Sequence, residues 1–234
     1  LNKRDAFLFK MYQAFGHHFD FIAIPIIKKR LRMDTSQVII NEERPQLTKH
    51  LATRFKEKIG QNVNLLGEVV LGNGEADHRY HHYLEALESP DINYISVKIS
   101  GIYAQTHALN YEESFPELVS RMSALYQKAI DFPYTDEDGI KRSKFINLDM
   151  EEYKDAHFTL RLFKAVLNLP QFKNYSAGIV VQAYLPDAYD FQTELLEFAK
   201  ARVDGGGAPI KMRLVKGCNL EMETVISSLK GWPN

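Results

Sequence analysis

Residues 177–183 read Ala-Gly-Ile-Val-Val-Gln-Ala, a short and almost continuous apolar run that ends next to a glutamine. Unbroken apolarity of this kind predicts a strand covered on both faces, as in a parallel sheet. Further runs with the same texture follow Gly60, and each of them predicts a strand. They are Val63–Leu66, Tyr94–Ile99, Phe145–Leu148 and Ile210–Val215.

Longer segments with helical spacing of their apolar residues separate these strands. They lie near Glu75–Leu87, Tyr111–Ala129, Tyr153–Leu167 and Asp190–Ala201. Alternating strands and helices predict an α/β fold with a repeated βα unit, in an open sheet or a closed barrel. The first residues predict helices instead, with an amphipathic one over Leu47–Ile59. We therefore divide the chain into an N-terminal helical region, 1–60, and a βα region, 61–234.

Polar or charged side chains stand at the carboxyl ends of the predicted strands. They are Glu68, Lys98, Asp149, Gln182, and Arg213 with Lys216. The carboxyl ends of the strands form the active site of a (βα)₈ barrel, and charges are costly there unless they meet each other or a ligand. A dinucleotide-binding fold needs a glycine-rich turn after its first strand, and Gly72-Asn-Gly74 lacks the third glycine. The sequence therefore favours a TIM-like (βα)₈ barrel with only about five βα units present.

The composition is that of a soluble globular protein, with 45% hydrophobic and 25% charged residues among 234. The formal net charge of -1 provides no basic field for nucleic acid, so we expect no nucleic acid to bind this portion. The single cysteine, Cys218, excludes an internal disulfide framework and fits a reducing, cytoplasmic compartment. No signal peptide or membrane-spanning segment is visible, and we expect both ends of the chain to be cut rather than natural.

Lys98 lies inside an apolar strand, and three interpretations of it remain open. It is a structural lysine paired with Asp149 or Glu68, a clamp for a substrate carboxylate, or a Schiff-base amine. Arg213 and Lys216 lie around the end of one strand, where two cations suit a phosphate or an electron-rich ring.

Two other clusters contain residue types that bind metals. Asp149, Glu151 and Glu152 offer hard oxygen ligands, but nothing supplies further ligands at a recognisable spacing, so we expect no metal. His78 and His82 have the i,i+4 spacing of a zinc pair. Since the polar residues His81 and Arg79 surround them, a solvated helix face is the better interpretation.

Five segments in this order resemble the proline dehydrogenase family, and within it the proline dehydrogenase domain of bifunctional proline utilization A. The likeness covers about residues 35–234, and Arg-Leu-Val-Lys-Gly together with Val-Gln-Ala-Tyr is its most specific part. The segments are Asn64–Glu68, Val97–Ser100, Asn147–Glu152, Val180–Tyr184 and Arg213–Gly217.

The resemblance implies a barrel that oxidises L-proline to Δ1-pyrroline-5-carboxylate, with FAD as hydride acceptor and a membrane quinone as the final acceptor of electrons. It implies that Lys98 holds the proline carboxylate and that Glu68 gates the pocket by pairing with an arginine. Asp149 and Met150 line the flavin and substrate pocket. The implied flavin contacts are Arg213, Lys216, Gln182, Val215 and Gly217.

The resemblance also raises expectations about the whole protein. The family's last strands and its substrate-binding arginine pair have no counterpart here, so we expect an incomplete domain. A fused aldehyde dehydrogenase domain and transient, peripheral contact with the inner membrane are implied. Relatives carry an aromatic residue where this chain has Asn219-Leu220, which leaves the roles of Cys218 and Asn219 open. The alternatives are an aldolase-like barrel with a Schiff-base lysine and a non-catalytic barrel fragment.

Overall fold

The computed structural model describes residues 10, 13, 20–35, 39–40, 43–65, 70, 72–104, 110–217 and 219–232. The chain separates into two compact units, Leu1–Lys56 and Glu57–Asn234. The first unit contains helix α1 over Asp20–Thr35, with Pro25 inside it, and helix α2 over Arg44–Lys56. In the described ranges, no helix is long and apolar enough to cross a membrane.

The second unit is built on a parallel sheet of five strands whose order in the sheet is their order in the chain. A short antiparallel hairpin precedes the third strand of this sheet. The sheet strands are β1 (Val63–Asn64), β2 (Tyr94–Lys98), β5 (Phe145–Asp149), β6 (Gly178–Gln182) and β7 (Lys211–Val215); the hairpin strands are β3 (Tyr134–Thr135) and β4 (Lys141–Arg142).

Helices follow the successive parallel strands. They are α3 (Asn73–Glu88), α4 (Ile99–Ile102), α5 (Tyr111–Asp131), α6 (Ala156–Leu167), α7 (Ala188–Asp204) and α8 (Leu220–Lys230), with 3₁₀ turns at Tyr153–Asp155 and Pro170–Phe172. Sequential order without reversal is the winding of a (βα)₈ barrel, whereas a doubly wound sheet reverses its order. The α/β fold predicted from the sequence is confirmed, and the described strands form an open array rather than a closed barrel.

The two faces of the sheet differ in chemistry, because successive side chains of a strand point to opposite faces. One face is apolar and is buried in β2, β5 and β6, which helices α3, α5 and α7 contact. The other face is polar. It carries Ser96, Lys98, Asn147, Asp149, Gln182 and Arg213. Ser96, Asn147 and Gln182 are buried on this face although they are polar, so the predicted cover on both faces is found at these positions. The prediction was wrong for β7, where Leu214 is 56% exposed.

Lys144 is a buried cation just before β5, at the opposite end of the sheet from the polar carboxyl ends. Its side chain is 1% exposed, and its ammonium donates to the backbone carbonyl of Ser89, which follows α3. Burial lowers the pKa of Lys144 to about 8, although the charge of Asp91 acts in the opposite direction. An unfolded lysine holds its proton up to about pH 10.4. The free energy of unfolding attributable to Lys144 therefore rises with pH above about 8, because the unfolded chain binds more protons there.

We expect Lys144→Met to remove this rise and to increase the free energy of unfolding at pH 7 by about 1 kcal/mol, because a buried charge is replaced by an apolar chain of similar length. Urea unfolding at pH 7 and pH 9.5 measures both effects as differences from the wild type. Lys141→Met, on the exposed β4, is the matched control and should change neither. A variant at residue 144 that keeps the wild-type pH dependence would contradict this account.

Candidate functional site

Asp149 and Arg213 form the centre of a polar cluster on the inner face of the sheet. Arg213 Nη1 lies 3.4 Å from Asp149 Oδ1, which also accepts hydrogen bonds from Ser96 Oγ at 3.2 Å and Asn147 Nδ2 at 2.6 Å. Asn62 Nδ2 donates to Ser96 Oγ at 2.9 Å and extends this hydrogen-bond network to the segment before β1. Burial raises the pKa of Asp149, while Arg213 and the two hydrogen bonds oppose the shift. The network thus fixes a carboxylate in front of an arginine.

Lys98 forms a second ion pair at the carboxyl end of β2. Its Nζ lies 2.6 Å from Glu151 Oε1, and Ser100 Oγ donates to Glu151 Oε2 at 2.6 Å. One of the three open interpretations paired Lys98 with Asp149 or Glu68, but the structure pairs the lysine with Glu151. Glu68 lies outside the described residues. Lys98 is opposite Asp149 in the sheet register, but Ser96, Asn147 and Arg213 already engage that carboxylate. Glu151 is therefore the acid that meets the lysine.

The backbone of the loop after β5 is held by two carboxamides. Gln182 Nε2 donates to Met150 O at 2.9 Å and to Glu151 O at 3.0 Å. Asn219, just before α8, donates through Nδ2 to Glu151 O at 2.9 Å. Gln182 is 1% exposed, and its Oε1 has no hydrogen-bond partner among the described residues. This gives Asn219 a place in the site that the sequence did not predict.

The remaining predicted residues lie at or just after the carboxyl ends of β5 and β7. Met150 is buried, Val215 is partly buried and Lys216 is exposed. Gly217 has a φ of 109°, and a Cβ there would lie 1.9 Å from the ring of Tyr184, so the loop after β7 requires glycine. Cys218 lies outside the described residues.

The histidine and carboxylate clusters are not arranged as metal sites. The rings of His78 and His82 lie next to each other on α3, tilted by 57° with their centroids 4.2 Å apart, and His81 Nδ1 lies 2.6 Å from Asp77 O. Within the part of the chain that the structure describes, no three His, Cys, Asp or Glu side chains are grouped to hold a metal ion.

The sequence did not predict Ser96, Ser100 and Asn147 as functional residues. Ser96 and Asn147 occupy alternate positions of buried strands, where polar side chains are uncommon. That spacing was the available signal, since Ser96 and Asn147 each lie two residues before a charged residue at a strand end, Lys98 and Asp149. For Glu151 the sequence indicates only a metal-ligand type of side chain, and its contact with Lys98 comes from the structure.

The polar side chains of this cluster suit a ligand with an electron-rich ring and a ligand with a carboxylate. Arg213 is 38% and Lys98 26% exposed on their side chains, so both cations are accessible to a ligand. The orphaned Gln182 Oε1 suits a ligand with N–H groups, because a buried acceptor without a donor costs free energy. An isoalloxazine ring has both an N–H group and an edge that becomes negative on reduction.

Comparisons with known proteins identify the relatives of this chain. A family model described as proline dehydrogenase matches residues 47–234. The structure of proline utilization A from Corynebacterium freiburgense is 39% identical, with a TM-score of 0.79, over 95% of this chain and 22% of its own. No curated protein sequence matches the chain.

Two further structures are similar over a smaller part of the chain. Proline utilization A from Bdellovibrio bacteriovorus, inactivated by N-propargylglycine, is 30% identical with a TM-score of 0.67, over 80% of this chain and 21% of that one. A mutant of the Bradyrhizobium japonicum protein is 24% identical with a TM-score of 0.61 over 73% and 17%, which supports the fold alone. The chain therefore spans about a fifth of the length of these structures.

Proposed function

The chain belongs to the proline dehydrogenase family, and we propose that it oxidises L-proline to Δ1-pyrroline-5-carboxylate with FAD as the hydride acceptor. The observation that carries the proposal is a pair of accessible cations, Lys98 and Arg213, on the polar face of a barrel-type sheet. Each cation is held in place by its own carboxylate. Residues 61–234 would form part of the barrel and residues 1–60 a separate helical region.

Lys98 would bind the carboxylate of proline. An ammonium group has three N–H donors, and one of them points to Glu151, so donors remain for a charge-assisted hydrogen bond to the substrate. Oxidation removes a hydride from the ring carbon that lies beside the nitrogen and does not carry the carboxylate. The nitrogen loses a proton, and a C=N bond forms between these two atoms. A proline that binds with a neutral amine has the lone pair for this bond, so the site needs no strong base.

FAD, when bound, would supply the acceptor for the hydride. Arg213 and Lys216 would hold the edge of the flavin that becomes negative, and Val215 and Gly217 would offer backbone groups. The buried Oε1 of Gln182 would accept an N–H from the ring.

Asp149 and Met150 follow each other at the carboxyl end of β5 and would line the same pocket. Ser96 and Asn147 hold the Asp149 carboxylate, which in turn orients Arg213. Glu68 would gate the pocket from the segment after β1.

We also propose the partners that the family likeness implies. Electrons would pass to a quinone during peripheral contact of the full-length protein with the inner membrane, and the protein would otherwise be cytoplasmic. An aldehyde dehydrogenase domain on the same chain would consume the product. A net charge of -1 supports the proposal that nucleic acid does not bind this portion.

The test is to purify the full-length protein that carries this chain, load it with FAD, and measure L-proline-dependent reduction of an electron-accepting dye. We expect flavin to copurify, and Lys98→Ala to lower kcat/KM for proline by about 100-fold, since a charge-assisted contact is lost. A protein that takes up no flavin would contradict the proposal. Covalent trapping of a carbonyl substrate on Lys98 by borohydride would instead favour the Schiff-base alternative.

A further inference from the structure

We propose that Glu151 is an internal competitor of the substrate: its carboxylate binds the ammonium of Lys98 and opposes the binding of an anionic ligand at the same ammonium. Glu151 thereby sets the affinity of the site for carboxylates. The inference rests on the function proposed above, in which Lys98 binds the carboxylate of proline.

Both oxygens of Glu151 are engaged, as those of a bound carboxylate ligand would be. Oε1 lies 2.6 Å from Lys98 Nζ, and Oε2 accepts from Ser100 Oγ at 2.6 Å. Lys98 and Ser100 are two residues apart across the end of β2, so together they form a receptor for one carboxylate. In the structure, the carboxylate bound there is that of Glu151.

Glu151 reaches this position because its backbone is fixed. Gln182, from β6, and Asn219, from the segment before α8, both donate to the Glu151 carbonyl oxygen. The ion pair therefore differs from a chance contact between two long surface side chains. The side chains of Lys98 and Glu151 nevertheless remain 26% and 33% exposed, which leaves a path by which a ligand can approach the ammonium.

Electrostatics gives the sign of the effect. A ligand carboxylate bound to Lys98 would lie a few ångströms from Glu151, and two like charges at that distance repel each other even in a partly hydrated site. Glu151→Gln removes the repulsion, while its amide oxygen can still accept a hydrogen bond from Lys98 or Ser100. We expect anionic ligands to bind the variant about 5- to 10-fold more tightly.

The probe is cyclopentanecarboxylate, which has a five-membered ring and a carboxylate but no nitrogen. Its Kd is measured by calorimetry on the FAD-loaded full-length protein, with Glu151→Gln and Glu151→Ala as variants. Glu152→Gln is the matched control, because it removes the same charge one residue away, where Glu152 pairs with Lys154 at 2.9 Å. The control should change Kd by less than about twofold, and added salt should reduce the gain of Glu151→Gln.

The direction of the change separates competition from a structural role, since a damaged site would lose affinity rather than gain it. Unchanged or weaker binding in both Glu151 variants would overturn the inference. Lys98→Ala distinguishes this failure from a failure of the proposed function. If Lys98→Ala weakens binding while the Glu151 variants do not tighten it, only the inference fails. If Lys98→Ala leaves Kd unchanged, the assignment of Lys98 to the substrate carboxylate fails as well.

Discussion

Arg213→Ala is expected to weaken FAD binding by about 10- to 100-fold, which corresponds to the loss of a hydrogen bond from a charged donor. Among the described residues of the polar face, Arg213 is the cation that forms a hydrogen bond with the fixed carboxylate of Asp149. Its removal would also take away the larger of the two charges that lower the pKa of Asp149, so the pKa of that buried carboxyl should rise further. An increased pKa would shift any Asp149-dependent step to higher pH. Flavin fluorescence titration of the apoprotein over a range of pH measures both effects.

Lys211→Ala is the matched control for Arg213→Ala. Lys211 lies on the same strand and the same face, two residues earlier, but its ammonium lies over the rings of Tyr94 and Phe145 at the amino end of the sheet. The control removes the same charge and should retain FAD. Equal loss of FAD in both variants would indicate a general electrostatic or folding effect and would contradict the specific role of Arg213.

Arg202→Ala is expected to lower the free energy of unfolding of the unit that contains the sheet by about 3 kcal/mol. The guanidinium group is bonded only to backbone carbonyl groups in the described structure. Its acceptors are Leu167 O, Phe172 O, Lys173 O, Tyr175 O and Ala208 O. They belong to the end of α6 and to the segments that enter β6 and β7. Phe172 O and Lys173 O also accept from backbone N–H groups, but Leu167 O, Tyr175 O and Ala208 O lose the guanidinium donor on truncation. Unsatisfied buried acceptors cost about 1–3 kcal/mol each before water compensates.

Arg202→Lys distinguishes the shape of the side chain from its charge. A lysine cannot reproduce the fork of a guanidinium, so we expect most of the stability to be lost in this variant as well. Lys200→Ala, exposed on the same helix, should have little effect. Urea unfolding monitored by circular dichroism gives all three values, and a wild-type midpoint for Arg202→Lys would show that charge alone suffices.

The strand pattern could be predicted from the sequence because continuous apolar runs reflect local burial. The predicted Ala177–Ala183 and Ile210–Val215 agree with β6 and β7 to within a residue at each end. The hairpin of β3 and β4 was missed, since strands of two residues with charged side chains carry no periodicity. Helix α8 was missed too, and it contains no buried residue that would define an apolar face.

The site could be predicted less completely than the fold. Strand-end positions identified Lys98, Asp149, Gln182 and Arg213, because parallel strands bring their carboxyl ends together. The pairing of acids with cations depends on how far each side chain reaches and on the hydrogen bonds that each carboxylate already accepts. The spacing of residues in the sequence shows neither. Glu151 therefore emerged as the partner of Lys98 only from the three-dimensional arrangement.

The central claim is that this chain supplies the proline-oxidising site of a flavoenzyme. Its most direct test is to mix the FAD-loaded full-length protein with L-proline in the absence of oxygen and of any other acceptor, and to follow the visible absorbance of the flavin. The account predicts that L-proline bleaches the flavin while cyclopentanecarboxylate does not, and that Lys98→Ala slows the bleaching. A flavin that remains oxidised in the presence of saturating L-proline would contradict it.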